Sequence, residues 1–119
     1  MNNKNVIIVG LIKGRHELPV TNYIFEVIED VTDFKTMESV INNFVTTTVG
    51  IKRTYGCGIN QIGYEDVEVL AGQKELIVYV TGLTAATATL IKVCAFNGIS
   101  LTLMHYNAVE QNYIPQRIF

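Results

Sequence analysis

The feature that most constrains the fold is an apolar strand, a helix and a second apolar strand in succession near the end of the chain. Residues 75–80 form a strongly apolar run, Thr84 can cap a helix over 84–97, and residues 99–105 form the second run. Gly98 stands where a helix commonly ends. Strand, helix and strand with such short connections predict a βαβ unit, whose two strands are parallel and whose crossover is right-handed.

The rest of the chain supplies further strands and one more helix. Residues 5–11 are a β-branched apolar run without polar alternation, which predicts a strand covered on both faces, and residues 22–29 are also strand-like. Apolar side chains recur at three- and four-residue steps over 33–48, which predicts an amphipathic helix. Residues 113–119 suit an edge strand because Pro115 lacks an amide hydrogen.

Residues 51–72 are rich in glycine and weakly periodic, and only 64–70 reads there as a strand. No linker or internal repeat divides the chain. We therefore expect an α/β fold, a single compact domain over residues 1–119. Its mixed sheet carries an amphipathic helix in the N-terminal half and the βαβ unit in the C-terminal half.

The composition indicates an interface between copies of the chain. Hydrophobic residues make up 49% and charged residues 17%, against about 25% charged in an average globular protein. The helix over 84–97 is apolar nearly all round, which is typical of a helix buried between a sheet and a partner subunit. We expect a homodimer or a larger even-numbered homo-oligomer such as a hexamer, and a rather apolar monomer is the alternative.

Charge and hydropathy exclude several partners. The net charge is −2, and no run of like charge is present to bind a polyanion, so long nucleic acid is not an expected partner. No segment reaches the roughly 18 apolar residues of a membrane span, and the first residues lack the features of a signal peptide. We expect a cytoplasmic protein, with Cys57 and Cys94 as buried or free thiols.

The most specific local motif is the turn over residues 81–84. Thr81 and Gly82 follow an apolar strand and Thr84 opens a helix, whose free amides carry partial positive charge and bind phosphate or carboxylate. The turn lacks the lysine of a Walker loop and the three glycines of a dinucleotide-binding fingerprint. An ordinary tight turn capped by a threonine is the alternative.

A second polar group follows the next strand. His105 ends that strand and Tyr106 and Asn107 leave it, so all three are expected on the same carboxyl edge, where open α/β sheets usually bind ligands. Tyr106 would stack on a base, and His105 and Asn107 would form hydrogen bonds to its polar edges or to phosphate. Ordinary loop chemistry is the equally weighted alternative.

Basic residues form a third group. Lys13, Arg15 and His16 follow the first strand, and Arg117 near the C-terminus belongs to a weaker set. Arginine matches phosphate with two hydrogen bonds, whereas solvated surface charges are the alternative. We identify no catalytic constellation, no metal site and no cofactor, although His16 or His105 could act as a general acid or base.

Residues 10–19 (GLIKGRHELP), 23–34 (YIFEVIEDVTDF), 78–107 (VYVTGLTAATATLIKVCAFNGISLTLMHYN) and 113–119 resemble the first family of phage Thoeris anti-defence proteins. The resemblance implies a sponge that captures cyclic ADP-ribose isomers made by bacterial TIR-domain proteins and holds them intact. Some relatives also bind cyclic oligonucleotides, and the family forms dimers that build larger assemblies with ligand enclosed between subunits. Two alternatives are a small phosphodiesterase or ring-nuclease-like enzyme that cleaves cyclic nucleotides, and a purely structural interaction protein.

Overall fold

The computed structural model describes residues 6–14, 17–49 and 75–119, and these residues form a five-stranded sheet. The expected strand over 64–70 and Cys57 lie outside the described residues. The strands are β1 (Val6–Ile12), β2 (Tyr23–Phe25), β3 (Glu75–Tyr79), β4 (Ser100–Asn107) and β5 (Asn112–Arg117), in the spatial order β2-β1-β3-β4-β5. The first four are parallel and β5 is antiparallel to β4, so the predicted α/β fold with a mixed sheet is confirmed.

The second strand is much shorter than predicted. The strand expected over 22–29 is only Tyr23–Phe25. Among the described strands it lies at the edge of the sheet and pairs with β1, and its last pair joins Phe25 to Ile12, the final residue of β1. The N–H of Lys13 also donates to the Phe25 carbonyl at 2.9 Å, and the ladder ends there. β5 is the edge strand expected at the C-terminus, and it contains Pro115.

The predicted amphipathic helix is present as α1 (Phe34–Phe44), which continues into a π-helical turn, Val45–Val49. Asp33 caps its N-terminus, because its Oδ1 accepts a hydrogen bond from the backbone N–H of Thr36 at 3.1 Å. Inward-facing Met37 and Ile41 are buried. The apolar face therefore forms where the three- and four-residue spacing placed it.

The helix of the βαβ unit is α2 (Thr84–Asn97), and it ends at Gly98 with a left-handed φ of 68°. The expected cap at its start is wrong by one residue. Leu83 is the N-cap and makes no side-chain cap hydrogen bond, whereas Thr84 is already the first helical residue. A capping side chain needs a residue with extended backbone before the first turn, so Thr84 cannot serve.

Both helices pack on one face of the sheet and against each other. Lys92 Nζ of α2 lies 3.1 Å from Glu38 Oε1 of α1. Asn97 Nδ2 donates to Asn42 Oδ1 at 3.1 Å, also across the helix pair. The sheet side chains below the helices are almost wholly buried: Val9, Leu11, Leu76, Val78, Leu101 and Leu103. The core is therefore a two-layer structure of helices on sheet.

β1 was expected to be covered on both faces of the sheet, but side chains of this strand on the face opposite the helices are partly exposed. In the part of the chain that the structure describes, Ile8 is 50% exposed and Val6 is 41% exposed. α2 likewise keeps a large apolar side chain in solvent, since Phe96 is 67% exposed. No helix in the described ranges is both long and apolar enough to cross a membrane.

Candidate functional site

The strand order places a crevice at the carboxyl edge between β1 and β3. The chain leaves β1 toward β2 on one side and leaves β3 toward β4 on the other. Open α/β sheets bind ligands where successive connections diverge in this way, outside the carboxyl ends of the strands. Lys13 and Gly14 follow β1 at this edge, and the turn over 81–84 follows β3. The predicted position of that turn, between a strand and a helix, is confirmed.

The start of α2 leaves backbone donors free. The first hydrogen bond of the helix runs from the N–H of Thr87 to the carbonyl of Leu83 at 3.2 Å, so the amides of Thr84, Ala85 and Ala86 have no carbonyl partner within the helix. No side-chain cap hydrogen bond from a described residue reaches this helix end. α1 differs, because the Asp33 carboxylate already occupies its first turn. In the part of the chain that the structure describes, the N-terminus of α2 therefore has donors available for an anion.

A cavity of about 400 Å³ opens beside these amides. Thr81, Gly82, Thr84 and His105 line it, so the structure brings four of the predicted site residues together. The remaining lining consists of one polar residue, Thr87, and the apolar Val80, Ala88 and Ile91. Pockets of this volume are typical of small-molecule sites that combine apolar walls with a few polar groups.

Two side chains in the cavity differ in how their polar atoms are satisfied. Thr81 Oγ1 is buried without a hydrogen-bond partner among the described residues. Buried hydroxyls normally have a partner, so this oxygen has unused hydrogen-bonding capacity. His105 Nε2, by contrast, is 2.7 Å from Gln116 Oε1 on β5, and this contact holds the imidazole at the cavity wall.

Tyr106 does not join this cavity. The strand predicted to end at His105 continues through Tyr106 and Asn107, which pair with β5, so the expectation of a loop at these two residues is wrong. Side chains alternate along a strand, so Tyr106 lies on the face opposite to His105. The ring centroids of Tyr106 and Tyr113 are 5.3 Å apart, and those of Tyr113 and Tyr79 are 4.8 Å apart. Both pairs pack edge to face.

These three tyrosines form a cluster on the sheet face that the helices leave open, and the sequence reasoning missed it. Desolvation first, and then the neighbouring Tyr106 and Tyr79, raise the pKa of Tyr113 above its ordinary value of 10.0. The Tyr113 phenol is therefore neutral at physiological pH. The sequence pattern that could have predicted the cluster is the alternation along the strands, which places Tyr79 and Tyr106 on the face opposite to the buried leucines and valines.

Asn107 is engaged in a turn. Its Oδ1 accepts hydrogen bonds from the backbone N–H groups of Val109 at 2.9 Å and Glu110 at 3.1 Å. An asparagine that bonds the backbone two residues on initiates a turn, here the one between β4 and β5. The side-chain oxygen of Asn107 therefore already accepts hydrogen bonds within the β4–β5 hairpin.

Lys13 and Arg117, the two described members of the predicted basic set, do not line the cavity. Lys13 Nζ lies 3.5 Å from Glu26 Oε1, with both side chains well exposed. Arg117 pairs with Thr102 near the beginning of β4, on the face opposite to His105 and toward the other end of the sheet. Arg15 and His16 lie outside the described residues.

Within the described ranges, no three histidine, cysteine, aspartate or glutamate side chains lie close enough to hold a metal ion. Comparison of the chain with models of protein families, with curated proteins and with solved structures finds no match in any of the three. The resemblance to the Thoeris anti-defence family therefore stays a prediction. Function has to be argued from the site itself.

Proposed function

We propose that this chain is a non-catalytic binding protein that captures a small cyclic nucleotide and holds it intact. The observation that carries the proposal is the uncapped N-terminus of α2 beside the cavity lined by Thr81, Thr84 and His105. The helix end supplies amides and roughly half a positive charge for a phosphate group. The cavity supplies apolar walls for the remainder of the ligand.

The polar groups fit an anion better than a neutral ligand. The amides of residues 84–86 all donate, and the Thr84 hydroxyl can donate as well. The Thr81 hydroxyl lacks a partner in the described part of the chain. Among the described residues, no carboxylate lines this cavity to repel a negative charge. A phosphate seated on the first turn of α2 would satisfy donors that the described residues leave free.

The particular ligand is proposed from the family resemblance. A cyclic ADP-ribose isomer carries a pyrophosphate, which matches a helix N-terminus, and its capture would prevent activation of a TIR-based Thoeris defence in the bacterial cytoplasm. Cyclic oligonucleotides present phosphates of the same kind. The alternative of a nucleotide-cleaving enzyme rests on His105, the one titratable side chain among those lining this cavity.

We further propose that the protein acts as a homo-oligomer. The open sheet face supports this, because parallel strands are normally covered on both sides. Ile8 and Tyr106 are each at least half exposed on that face, and Ile77, Tyr79 and Met104 are partly exposed beside them. Contiguous exposed apolar patches usually mark interaction sites.

Calorimetry with a purified cyclic ADP-ribose isomer tests binding, and a pair of variants at one position tests the role of the helix amides. Thr84→Pro removes both the amide hydrogen and the hydroxyl. Proline is well tolerated at the first helical position, and Leu83 already has the extended backbone, ψ 100°, that precedes proline. Thr84→Ala removes the hydroxyl alone and is the matched control.

We expect Thr84→Pro to bind at least about 10-fold more weakly than Thr84→Ala, since a hydrogen bond to a charged group contributes about 1.5–3 kcal/mol. Equal affinities of the two variants would contradict binding at the amides. Heat denaturation followed by chromatography then identifies what was bound. Intact cyclic ligand supports sequestration, linear ADP-ribose identifies an enzyme, and no retained nucleotide refutes this ligand class.

A further inference from the structure

A second cavity, of about 360 Å³, lies between the segment that follows β2 and the first turns of α1. Its apolar lining comes from Phe25, Val27 and Ile28 on one side and from Met37 and Val40 on the helix. Ligand pockets of this size commonly have such apolar walls. The α2 cavity is a separate one, because none of the residues that line it lines this one.

The charged groups at this second cavity are all acidic. Glu29, Asp30 and Asp33 line it, and no lysine, arginine or histidine of the described ranges does. Asp33 is committed to the helix, since its two carboxylate oxygens accept from the backbone N–H and the hydroxyl of Thr36. Glu29 and Asp30 are therefore the carboxylates that remain for another partner.

Hydrogen bonds from Thr32 fix the Asp30 carboxylate but engage only one of its two oxygens. Its Oδ1 accepts from the N–H of Thr32 at 2.9 Å and from the hydroxyl of Thr32 at 2.7 Å, while Oδ2 has no hydrogen bond among the described residues. The hydroxyl bond first, and then the backbone bond, lower the pKa of Asp30 below its ordinary value of 3.8. The carboxylate is therefore ionised at neutral pH and fixed at the mouth of an apolar cavity.

From this combination we propose that the second cavity binds an organic cation, a molecule with an apolar body and one ammonium group. The body would occupy the space between Phe25, Met37 and Val40, where it leaves water. The ammonium group would face Glu29 and Asp30 at the rim, where its charge stays hydrated and its hydrogens find acceptors. An anion of the same shape would meet the same carboxylates and be repelled.

Three probes of equal chain length, hexylammonium, 1-hexanol and hexanoate, test the proposal by protein-observed NMR titration of the full chain. We expect hexylammonium to bind most tightly, hexanol less tightly and hexanoate least. The preference for hexylammonium should shrink as salt is raised, because exposed charges are screened. Equal affinities for the three probes, or no saturable binding of hexylammonium, would overturn the proposal.

Charge-neutral substitutions identify the acceptors. Asp30→Asn keeps an oxygen for Thr32 and Glu29→Gln keeps the side-chain shape, so neither should unfold the protein. Each should weaken hexylammonium binding roughly 2- to 5-fold, the range measured for exposed ion pairs, and leave hexanol binding unchanged. Glu26→Gln is the matched control, because Glu26 pairs with Lys13 and does not line the cavity. An equal effect of Glu26→Gln would show a general charge effect and overturn the assignment.

Discussion

Replacing Gly10 with alanine tests how the edge strand β2 is held against β1. A Cβ atom at this position would lie 2.6 Å from both Cδ2 and Cε2 of the Tyr23 ring and 3.0 Å from Cδ1 of Leu18. Carbon atoms in contact are normally about 3.5–4.0 Å apart, so the ring has to move by about 1 Å. Tyr23 is the register partner of Gly10, and displacing its ring disturbs one of the two pairs that join β2 to the sheet.

The expected cost follows from two opposing effects. Overpacking destabilises by about 1–3 kcal/mol. Removing the flexibility of glycine from the unfolded chain returns about 0.4–1 kcal/mol, since the backbone of Gly10 does not have a positive φ. We expect a net loss on the order of 1–2 kcal/mol in the free energy of unfolding, which corresponds to a fall in Tm of roughly 4–8 °C. Urea denaturation followed by circular dichroism measures it.

A double-mutant cycle separates the contact with the Tyr23 ring from any general effect of the substitution. In a Tyr23→Ala background the ring is gone, so Gly10→Ala should cost clearly less than it does in the parent protein. An equal cost in both backgrounds would refute the proposed clash. A parent-background Gly10→Ala variant as stable as the original chain would show that Tyr23 moves aside freely.

Three further predictions concern a cap, a thiol and an interface. Asp33→Ala should lower the free energy of unfolding by about 1 kcal/mol in urea denaturation, because it removes the α1 cap. Asp33→Asn should retain most of the capping contribution, because asparagine is also a good N-cap residue. Burial raises the pKa of the Cys94 thiol to about 12 from 9.0. In a Cys57→Ser background the folded protein should therefore resist iodoacetamide at pH 8 and react only on unfolding. The free energy of unfolding should fall as pH rises above 9, because the thiol of the unfolded chain ionises first. Ile8→Lys should shift the oligomer toward monomer in light scattering while Phe96→Ser does not, and the reverse result would place the interface on α2 instead.

The elements that were predictable from the sequence are those with strong local signals. β3 and α2 fall within a residue of their expected bounds, because an apolar run and a glycine stop are properties of the local chain. The end of β4 depends on a partner instead. β5 pairs with it as far as Asn107, and this antiparallel ladder keeps Tyr106 and Asn107 in the strand, where the local sequence indicates a loop.

Topology decides which of the predicted site residues lie together within one chain. The turn over 81–84 and His105 meet because both belong to one βαβ unit, whose geometry is nearly fixed. Tyr106 lies on the opposite face, because β4 continues through this position and side chains alternate along a strand. Arg117 reaches the other end of the sheet, because β5 runs antiparallel to β4.

The separation of His105 from Tyr106 constrains any ligand that uses both the α2 amides and an aromatic platform. Within one chain the sheet itself stands between Thr84 and Tyr106, because they lie on its two faces. We expect a single ligand to contact both when Tyr106 comes from another copy of the chain. In that case Thr84→Pro and Tyr106→Ala should each weaken binding at least about 10-fold. Mixing the two variants after dissociation and reassembly should restore a fraction of the tight sites, since some assemblies then pair an intact Thr84 with an intact Tyr106. Calorimetry of the mixture against each variant alone measures the restored fraction. Full binding by Tyr106→Ala alone would show that the tyrosine cluster takes no part in the site.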